Sequence, residues 1–282
     1  MSYTHTNADK TTSYGFKLGG STEYDYNSLQ LGGHISKYSK NQNRSISLSY
    51  QSFIDQWEII YPKELRNTNW VNTNNRFSNS LSLTYTQTLN KRMQGSITSD
   101  LVYQSGLLST PFHRVYFNNS TAVKVEQLPN NRLKIPVGVQ LNYHLSDHIV
   151  MRLNYRYYWD NWGIQGHTAE IELPLKINAF MAVYPFYRYH SQTAATHFKP
   201  YAQHDINATY YTSDHDLSAL SSHKFGVGMR YAPAKGIAKV KIPLLKQNRN
   251  FNFRGIDCRY AYYQRSNGLK AHNISVGLNF SF

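Results

Sequence analysis

Basic side chains recur at alternating positions in the second half of the chain, in a pattern that can recognise negative charge. Arg152 and Arg156 lie in the segment MRLNYRYYW, where apolar or aromatic residues occupy every second position. Residues i, i+2 and i+4 of an extended strand share one face, so both guanidinium groups should project from the same face of the strand. We predict a one-sided basic wall inside a lumen, which would favour anions and acidic sugars. The predicted wall consists of Arg152, Arg156, Arg188, Lys224, Arg230 and Arg259.

Acidic residues are predicted on the same inward faces, and they leave a second interpretation open. They are Asp100, Glu170, Glu172 and Asp257. Charges inside a barrel too narrow to conduct are usually paired with one another, because an unpaired buried charge is costly. The pattern therefore allows either an anion-selective lumen or a set of internal ion pairs.

The segment YYWDNWG at Tyr157–Gly163 concentrates aromatic side chains at the predicted outer end of a strand. Tyr157, Trp159 and Trp162 are predicted as interface aromatics, since Trp and Tyr collect where a bilayer meets water. An aromatic platform for sugars is the alternative.

Two groups of histidine and aspartate lie in the long segment 191–218. His204-Asp205 and Asp214-His215-Asp216 offer imidazole and carboxylate ligands to a divalent cation. Their spacing matches no known metal site, so the sequence predicts a solvated loop and no metal site.

The sequence predicts no catalytic residues and no cofactor. A nucleophile needs a base within hydrogen-bond reach, and no motif singles out one of the many serines. His144 is predicted to face the lumen beside a short turn on the periplasmic side. The protein is therefore expected not to be an enzyme, and an outer-membrane enzyme is the least favoured alternative.

The elements that must position these side chains are strands with strict alternation. The last one, Ile274–Phe282 (ISVGLNFSF), has five apolar residues separated by small or polar ones. Alternation of this kind fits a half-buried sheet or a transmembrane strand. Eleven further strands can be placed before it, and most of them alternate in the same way. The last strand is expected to pair with the first, and the lone Cys258 is expected to face lipid.

The connections between these predicted strands differ in length in a regular way. Short connections follow the second, fourth, sixth and eighth strands, whereas long ones follow the third, fifth and ninth. Short periplasmic turns and longer extracellular loops are typical of outer-membrane barrels. The segment 233–250 is the least certain and is predicted as a periplasmic excursion.

Composition separates the remaining structural classes. The chain has 24 tyrosines, 15% aromatic and only 16% charged residues, against about a quarter charged in ordinary domains. No run of about 18 apolar residues exists, so no transmembrane helix is predicted. The net charge of +14 raises the question of nucleic acid, but no basic helix, zinc spacing or aromatic RNA-binding pattern supports it. The first ten residues are polar, so we infer that the chain begins after a cleaved signal peptide.

Several segments resemble the domain-of-unknown-function-3570 family of Gram-negative outer-membrane proteins. The most specific is LNYRYYWDNWGIQGHTAEIE (Leu153–Glu172), and four others lie in the expected order around it: Glu23–Gly33, Ser109–Phe117, Tyr187–Ala195 and Tyr210–Leu220. The resemblance implies an outer-membrane barrel and no assigned reaction. Genes of this family often neighbour small lipoproteins and a flavin-attaching enzyme, which hints at a redox or envelope role.

Together these observations predict an all-β protein, a transmembrane antiparallel up-and-down β-barrel of about twelve strands. It is expected to form a single domain over residues 1–282, with residues 1–12 as an N-terminal periplasmic segment. The expected function is a narrow channel for small anionic solutes, and the alternative is a non-conducting platform for an envelope complex. Expected partners are outer-membrane lipid, periplasmic or surface lipoproteins and the assembly machinery, which would read the terminal Phe282.

Overall fold

The computed structural model describes residues 1–65, 71–244 and 247–281. Almost all regular structure in them is β-strand, with two single-turn 3-10 helices at Lys63–Leu65 and His215–Leu217. No helix in these ranges has the length and apolarity needed to cross a bilayer. The all-β prediction is therefore confirmed.

The described residues form seventeen strands. They are β1 (Ser2–Thr6), β2 (Thr12–Thr22), β3 (Tyr26–Tyr38), β4 (Arg44–Ile60), β5 (Val71–Asn90), β6 (Met93–Gly106), β7 (Arg114–Tyr116), β8 (Val123–Val125), β9 (Asn131–His144), β10 (Val150–Asp160), β11 (Gln165–Glu172), β12 (Leu175–Lys176), β13 (Met181–Gln192), β14 (Leu220–Tyr231), β15 (Ala238–Leu244), β16 (Gln247–Arg265) and β17 (Lys270–Ser281).

One antiparallel sheet contains fifteen of these strands, and β7 and β8 form a separate ribbon. The long strands follow one another in chain order, so the sheet is an up-and-down meander. All twelve predicted strands overlap strands of this sheet. The predicted strand His167–Asn178 is divided into β11 and β12, and β1 and β15 are additional. Ser2–Thr6, in the segment expected to precede the barrel, pairs with β2. In the segment 233–250, β15 forms a hairpin with the first half of β16.

The sheet does not close on itself in this structure. Among the described residues, β17 pairs with β16 alone and β1 pairs with β2 alone. The expected pairing of the last strand with the first is therefore not present in residues 1–65, 71–244 and 247–281.

The two faces of the sheet have opposite chemistry. In β3, Leu31 and Ile35 are 42% and 50% exposed, whereas Ser36 between Ile35 and Lys37 is 8% exposed. We call the face with exposed apolar side chains the outer face and the opposite one the inner face. Outer-face residues more than two-fifths exposed include Leu31, Leu48, Leu83, Ile97, Val139 and Val227. A water-soluble sheet buries its apolar face, so this arrangement is inverted.

The inner face is concave. Arg259 of β16 contacts Glu172 of β11 at 3.2 Å, although β13 and β14 lie between these strands. Three strand spacings span about 14 Å of a flat sheet, and side chains that stand roughly perpendicular to it would not meet across that distance. The sheet must therefore curl toward its inner face.

The two ends of the sheet carry different connections. At one end, the connections 39–43, 91–92 and 145–149 are short, as predicted. At the other end, 107–130 and 193–219 are long. These two segments pack together, since Phe117 bridges to His204 and Gln127 to Tyr211. We call 107–130 and 193–219 together the cap.

The cap has a small apolar core of its own. Val115, Phe117 and Tyr211 are 0%, 2% and 5% exposed, and Ile206 and Ala208 pack against them. Phe117 and Tyr211 meet edge to face, with ring centroids 5.0 Å apart, which is a favourable aromatic geometry. The long loops are therefore folded rather than extended.

Candidate functional site

The inner face of β10 to β16 gathers the predicted charged residues. Direct register partners share a face of a sheet. Glu170 of β11 lies opposite Arg188 of β13, which lies opposite Lys224 of β14. Arg230 lies opposite Asp257 in the next pair of strands. The strand register thus brings residues from distant parts of the sequence into one charged region.

Glu172 is the centre of the strongest contacts in this region. Its carboxylate lies 2.8 Å from Arg152 Nη1 and 3.2 Å from Arg259 Nη2, and its side chain is 11% exposed. The Arg259 guanidinium also lies 3.8 Å from the ring centroid of Phe186, within the range of cation–π attraction. Two cations therefore share one carboxylate.

Four other cations of the predicted wall have no such partner. In the described part of the chain, no carboxylate oxygen lies within the 4.0 Å ion-pair limit of Arg156, Arg188, Lys224 or Arg230. Two of the predicted acidic partners bind neutral groups instead. Asp100 accepts a hydrogen bond from the hydroxyl of Ser82, and Asp257 accepts one from Asn279 Nδ2 at 2.9 Å. The region keeps an excess of positive charge.

A groove of about 280 Å³ opens beside two of these unpaired cations. Most of its polar lining comes from the inner face of β6, β9, β10, β11 and β13. The lining includes Ser96, Thr98, Gln140, Arg156, Glu170 and Arg188. Guanidinium, hydroxyl and amide groups can all donate to an anion, so the groove suits a small anionic ligand.

A glycine on β14 gives aromatic side chains room on this face. A Cβ at Gly228 would lie 1.8 Å from Cε2 of Tyr184, the residue opposite it on β13. The tyrosine ring therefore lies directly on the glycine backbone, with Arg259 5.9 Å from its centroid.

A second buried network, at the cap end of β10, has no counterpart among the predicted sites. Asp160 is 1% exposed and accepts hydrogen bonds from Arg132 Nη2 at 2.5 Å and Tyr158 Oη at 2.8 Å. Its other oxygen accepts from the backbone N–H of Trp162 and Ile164, both at 3.0 Å. The sequence signal was the DNWG turn after an alternating strand, which suits an aspartate that caps a turn.

The predicted interface aromatics lie in different surroundings. Trp162 is 3% exposed, because the Arg132 guanidinium lies 4.3 Å from its ring centroid. Its indole Nε1 donates to the Asn131 carbonyl at 2.9 Å, so Trp162 packs against protein and not at the outer surface. Trp159 is half-buried, and Tyr157 contacts His167 with tilted rings whose centroids are 5.2 Å apart.

Tyr157 belongs to a motif that the sequence analysis did not identify. Three hairpins each place a histidine opposite one tyrosine and hydrogen-bonded to a second, with a tyrosine oxygen to histidine Nδ1 distance of 2.8 Å. All three lie on the outer face near the cap end. They are Tyr155–Tyr157–His167, Tyr187–Tyr189–His223 and Tyr260–Tyr262–His272. The sequence signal for this motif was a Tyr-x-Tyr spacing in one strand and a histidine in the neighbouring strand.

The histidine and aspartate groups of the cap are not assembled as a unit. His204 is 2% exposed, and its Nε2 lies 2.8 Å from the Thr212 carbonyl oxygen. Asp216 pairs with Arg265 at 2.6 Å, and the tilted rings of His215 and Phe198 have centroids 5.9 Å apart. Asp214 instead lies 3.9 Å from His113 of the other cap segment.

Two further predicted residues lie away from these networks. His144 is exposed at the end of β9 that carries short connections. Phe282 lies outside the described residues.

A family model matches residues 1–272 of the chain. The chain belongs to the family described as Protein of unknown function (DUF3570). The resemblance seen in the sequence is therefore confirmed. No curated protein matches the sequence.

Solved structures of outer-membrane proteins are similar to the chain at a coarse level. BamA from Haemophilus ducreyi, lacking POTRA domains 1–3, has 9% identity and a TM-score of 0.44, over 93% of this chain and 54% of that one. The ferric-catecholate import receptor Fiu from E. coli K12 has 8% identity and a TM-score of 0.45, over 98% of this chain and 59% of that one. The chain thus spans little more than half the length of either.

Proposed function

We propose that the protein is an integral outer-membrane β-barrel whose outer face contacts lipid. The inverted chemistry of the sheet supports this, since Leu83 and Ile97 are 45% and 52% exposed while Ser36, Asp55 and Glu172 on the inner face are 8% exposed or less. Tyr–His–Tyr groups near the cap end suit a bilayer–water interface. Open edges in hydrocarbon would leave backbone groups unsatisfied, so in the membrane β17 pairs with the first strands and closes a barrel of about twelve transmembrane strands.

Within this barrel we propose a narrow path for small anionic solutes. The observation that carries the proposal is the set of four inner-face cations that have no carboxylate partner among the described residues. Basic side chains in a confined, polar lumen attract anions and exclude cations. Arg156 and Arg188, which line the groove, are the residues proposed to contact the solute.

Conductance of the purified protein in planar bilayers tests this function. In a gradient of potassium chloride, the reversal potential should show selectivity for chloride over potassium. Replacing Arg156 and Arg188 with alanine should move the selectivity toward the cation, because it removes two unpaired charges. Lys91→Ala, in a short exposed turn, is the matched control and should change nothing. A closed trace in both proteins would contradict the proposal.

The folded cap favours a second candidate function, a non-conducting platform for an envelope protein complex. A cleft of about 930 Å³ opens beside the cap, lined in part by Ile59, Pro111, Leu128 and Tyr210. A mixed polar and apolar cleft can bind a partner protein, and the lipoproteins expected for this family are candidates. Copurification of a stable lipoprotein together with a closed conductance trace would favour this function over the channel.

A further inference from the structure

The cap brings together one imidazole and two carboxylates from segments far apart in sequence. His113 and Glu126 belong to one cap segment, where the Glu126 N–H donates to the His113 carbonyl at 3.0 Å. Asp214 comes from the other. His113 Nδ1 lies 3.8 Å from Glu126 Oε1 and 3.9 Å from Asp214 Oδ2. The three potential ligand atoms all lie within 4.8 Å of one another.

The histidine nitrogen in this cluster lacks a hydrogen bond. Nδ1 of His113 is buried and has no hydrogen-bond partner in the part of the chain that the structure describes. Distances of 3.8 and 3.9 Å are too long for hydrogen bonds. Buried polar atoms are normally satisfied, and the side chain of Glu126 that faces this nitrogen is 1% exposed. The gap between the three atoms therefore calls for a group that binds all of them.

Other contacts hold both carboxylates in place, including the Glu126 oxygen that faces His113. Asp214 Oδ1 accepts from the Asp216 N–H at 2.9 Å, which leaves Oδ2 for His113. Glu126 Oε2 accepts from the backbone N–H of Thr110, and Oε1 accepts from the hydroxyl of Thr212. The Thr212 oxygen accepts in turn from the Asp214 N–H at 3.0 Å. Hydrogen bonds behind the ligands are what fixes their orientation in metal sites.

We propose that His113, Glu126 and Asp214 bind a divalent transition-metal ion of the zinc class, which joins the two cap segments. Imidazole with two carboxylates suits zinc, whereas calcium and magnesium prefer oxygen ligands alone. Zinc–ligand distances of about 2.0–2.2 Å place tetrahedral donors about 3.4 Å apart, so His113 must approach each carboxylate by roughly half an ångström. Three protein ligands leave a fourth position for water. This site is independent of the proposed anion path.

Metal retention by the full chain without a histidine tag tests the site. The folded protein in detergent is loaded with Zn²⁺, exchanged against a weak chelator and analysed for bound zinc. Wild type should retain one equivalent more than His113→Ala or Glu126→Gln. His148→Ala removes an exposed histidine from a turn at the opposite end, and it should retain as much zinc as wild type. Equal retention in all four proteins would overturn the proposal.

A second measurement covers the case in which a variant fails to fold. In wild type, Zn²⁺ should slow protease cleavage within 107–130 and 193–219 by several-fold, and a strong chelator should reverse this. Ca²⁺ should have no such effect. Co²⁺ should give visible absorption bands of a low-coordinate site, and these should be lost in Glu126→Gln. Protection that is unchanged by Zn²⁺ and by the chelator would overturn the proposal.

Discussion

The sheet and the cap follow opposite packing rules within one chain. In the sheet, Leu31 is 42% exposed and Ser36 is 8% exposed. In the cap, Val115 and Phe117 are 0% and 2% exposed. Apolar side chains move to the less polar medium in both cases. In the proposed membrane setting, this medium lies outside the protein around the sheet, whereas in the cap it is the protein interior.

The boundary between these regions is a buried ion pair. Arg132 and Asp160 lie at the cap ends of β9 and β10, and Trp162 covers the guanidinium. Breaking a buried pair by removing one partner is costly, because the remaining charge is left unpaired. The network therefore anchors the turn after β10 where the proposed membrane ends.

The largest predicted effect is a loss of stability in the cap alone. Phe117→Ala should destabilise the cap by about 3–5 kcal/mol, since it empties a fully buried aromatic site. Hydrogen exchange should then speed up in 107–130 and 193–219, while the amides of β3 to β6 keep their protection. Phe112→Ala, at a residue 44% exposed in the same segment, is the control. Loss of protection throughout the sheet would contradict separate packing of the two regions.

The next largest effect comes from a charged side chain placed on the apolar outer face of the sheet. Leu83→Arg, on the outer face, should cost about 2–4 kcal/mol in lipid vesicles if it lies near the bilayer midplane. Thr84→Arg places the same side chain on the inner face and should cost less. Urea unfolding of both variants gives the comparison. A larger loss for Thr84→Arg would indicate that the inner face is the apolar environment.

The sheet could be predicted from sequence because its rule is local. Alternation in β3 to β6 specifies strand and face together, since side chains project with period two. The short turns after β3, β5 and β9 followed from the same pattern. Composition also predicted that the apolar face of the sheet would be the exposed one. A chain this rich in aromatic residues and this short of aliphatic blocks cannot build a large soluble core.

The cap and the pairing of charges could not be predicted in the same way. His113 and Asp214 are a hundred residues apart in sequence, and only the packing of two loops brings them together. No local spacing encodes that contact. The ion pair between Arg259 and Glu172 likewise depends on the curvature of the sheet, and Trp162 is covered by an arginine from another strand.

A smaller effect concerns side-chain packing on the inner face. Gly228→Ala should cost about 1–3 kcal/mol, because the added methyl group displaces the Tyr184 ring. Gly138→Ala, also on the inner face, meets nothing closer than 3.9 Å and should be neutral. Thermal unfolding of the two variants separates the outcomes. Equal stability would mean that the ring does not lie on Gly228.

The smallest effect concerns pH in the cap. Burial lowers the pKa of His197, so the unfolded chain takes up a proton at a higher pH than the folded cap does. Stability of the cap should therefore be unaffected well above about pH 6.5 and should fall as the pH drops below that value. Protease cleavage of the cap at about pH 5 and about pH 8 measures the change. His197→Gln should reduce the difference by a few-fold, and an unchanged difference would contradict the assignment to His197.

The most direct test of the central claim uses the single native thiol. Cys258 lies opposite Met229, which is on the outer face. A polarity-sensitive fluorophore attached to Cys258 in urea, before refolding into vesicles, should emit as in hydrocarbon and be quenched by brominated lipids. The same label on Asp257→Cys in a Cys258→Ser background should emit as in water and escape quenching. Quenching at position 257 with none at 258 would contradict a lipid-facing outer surface.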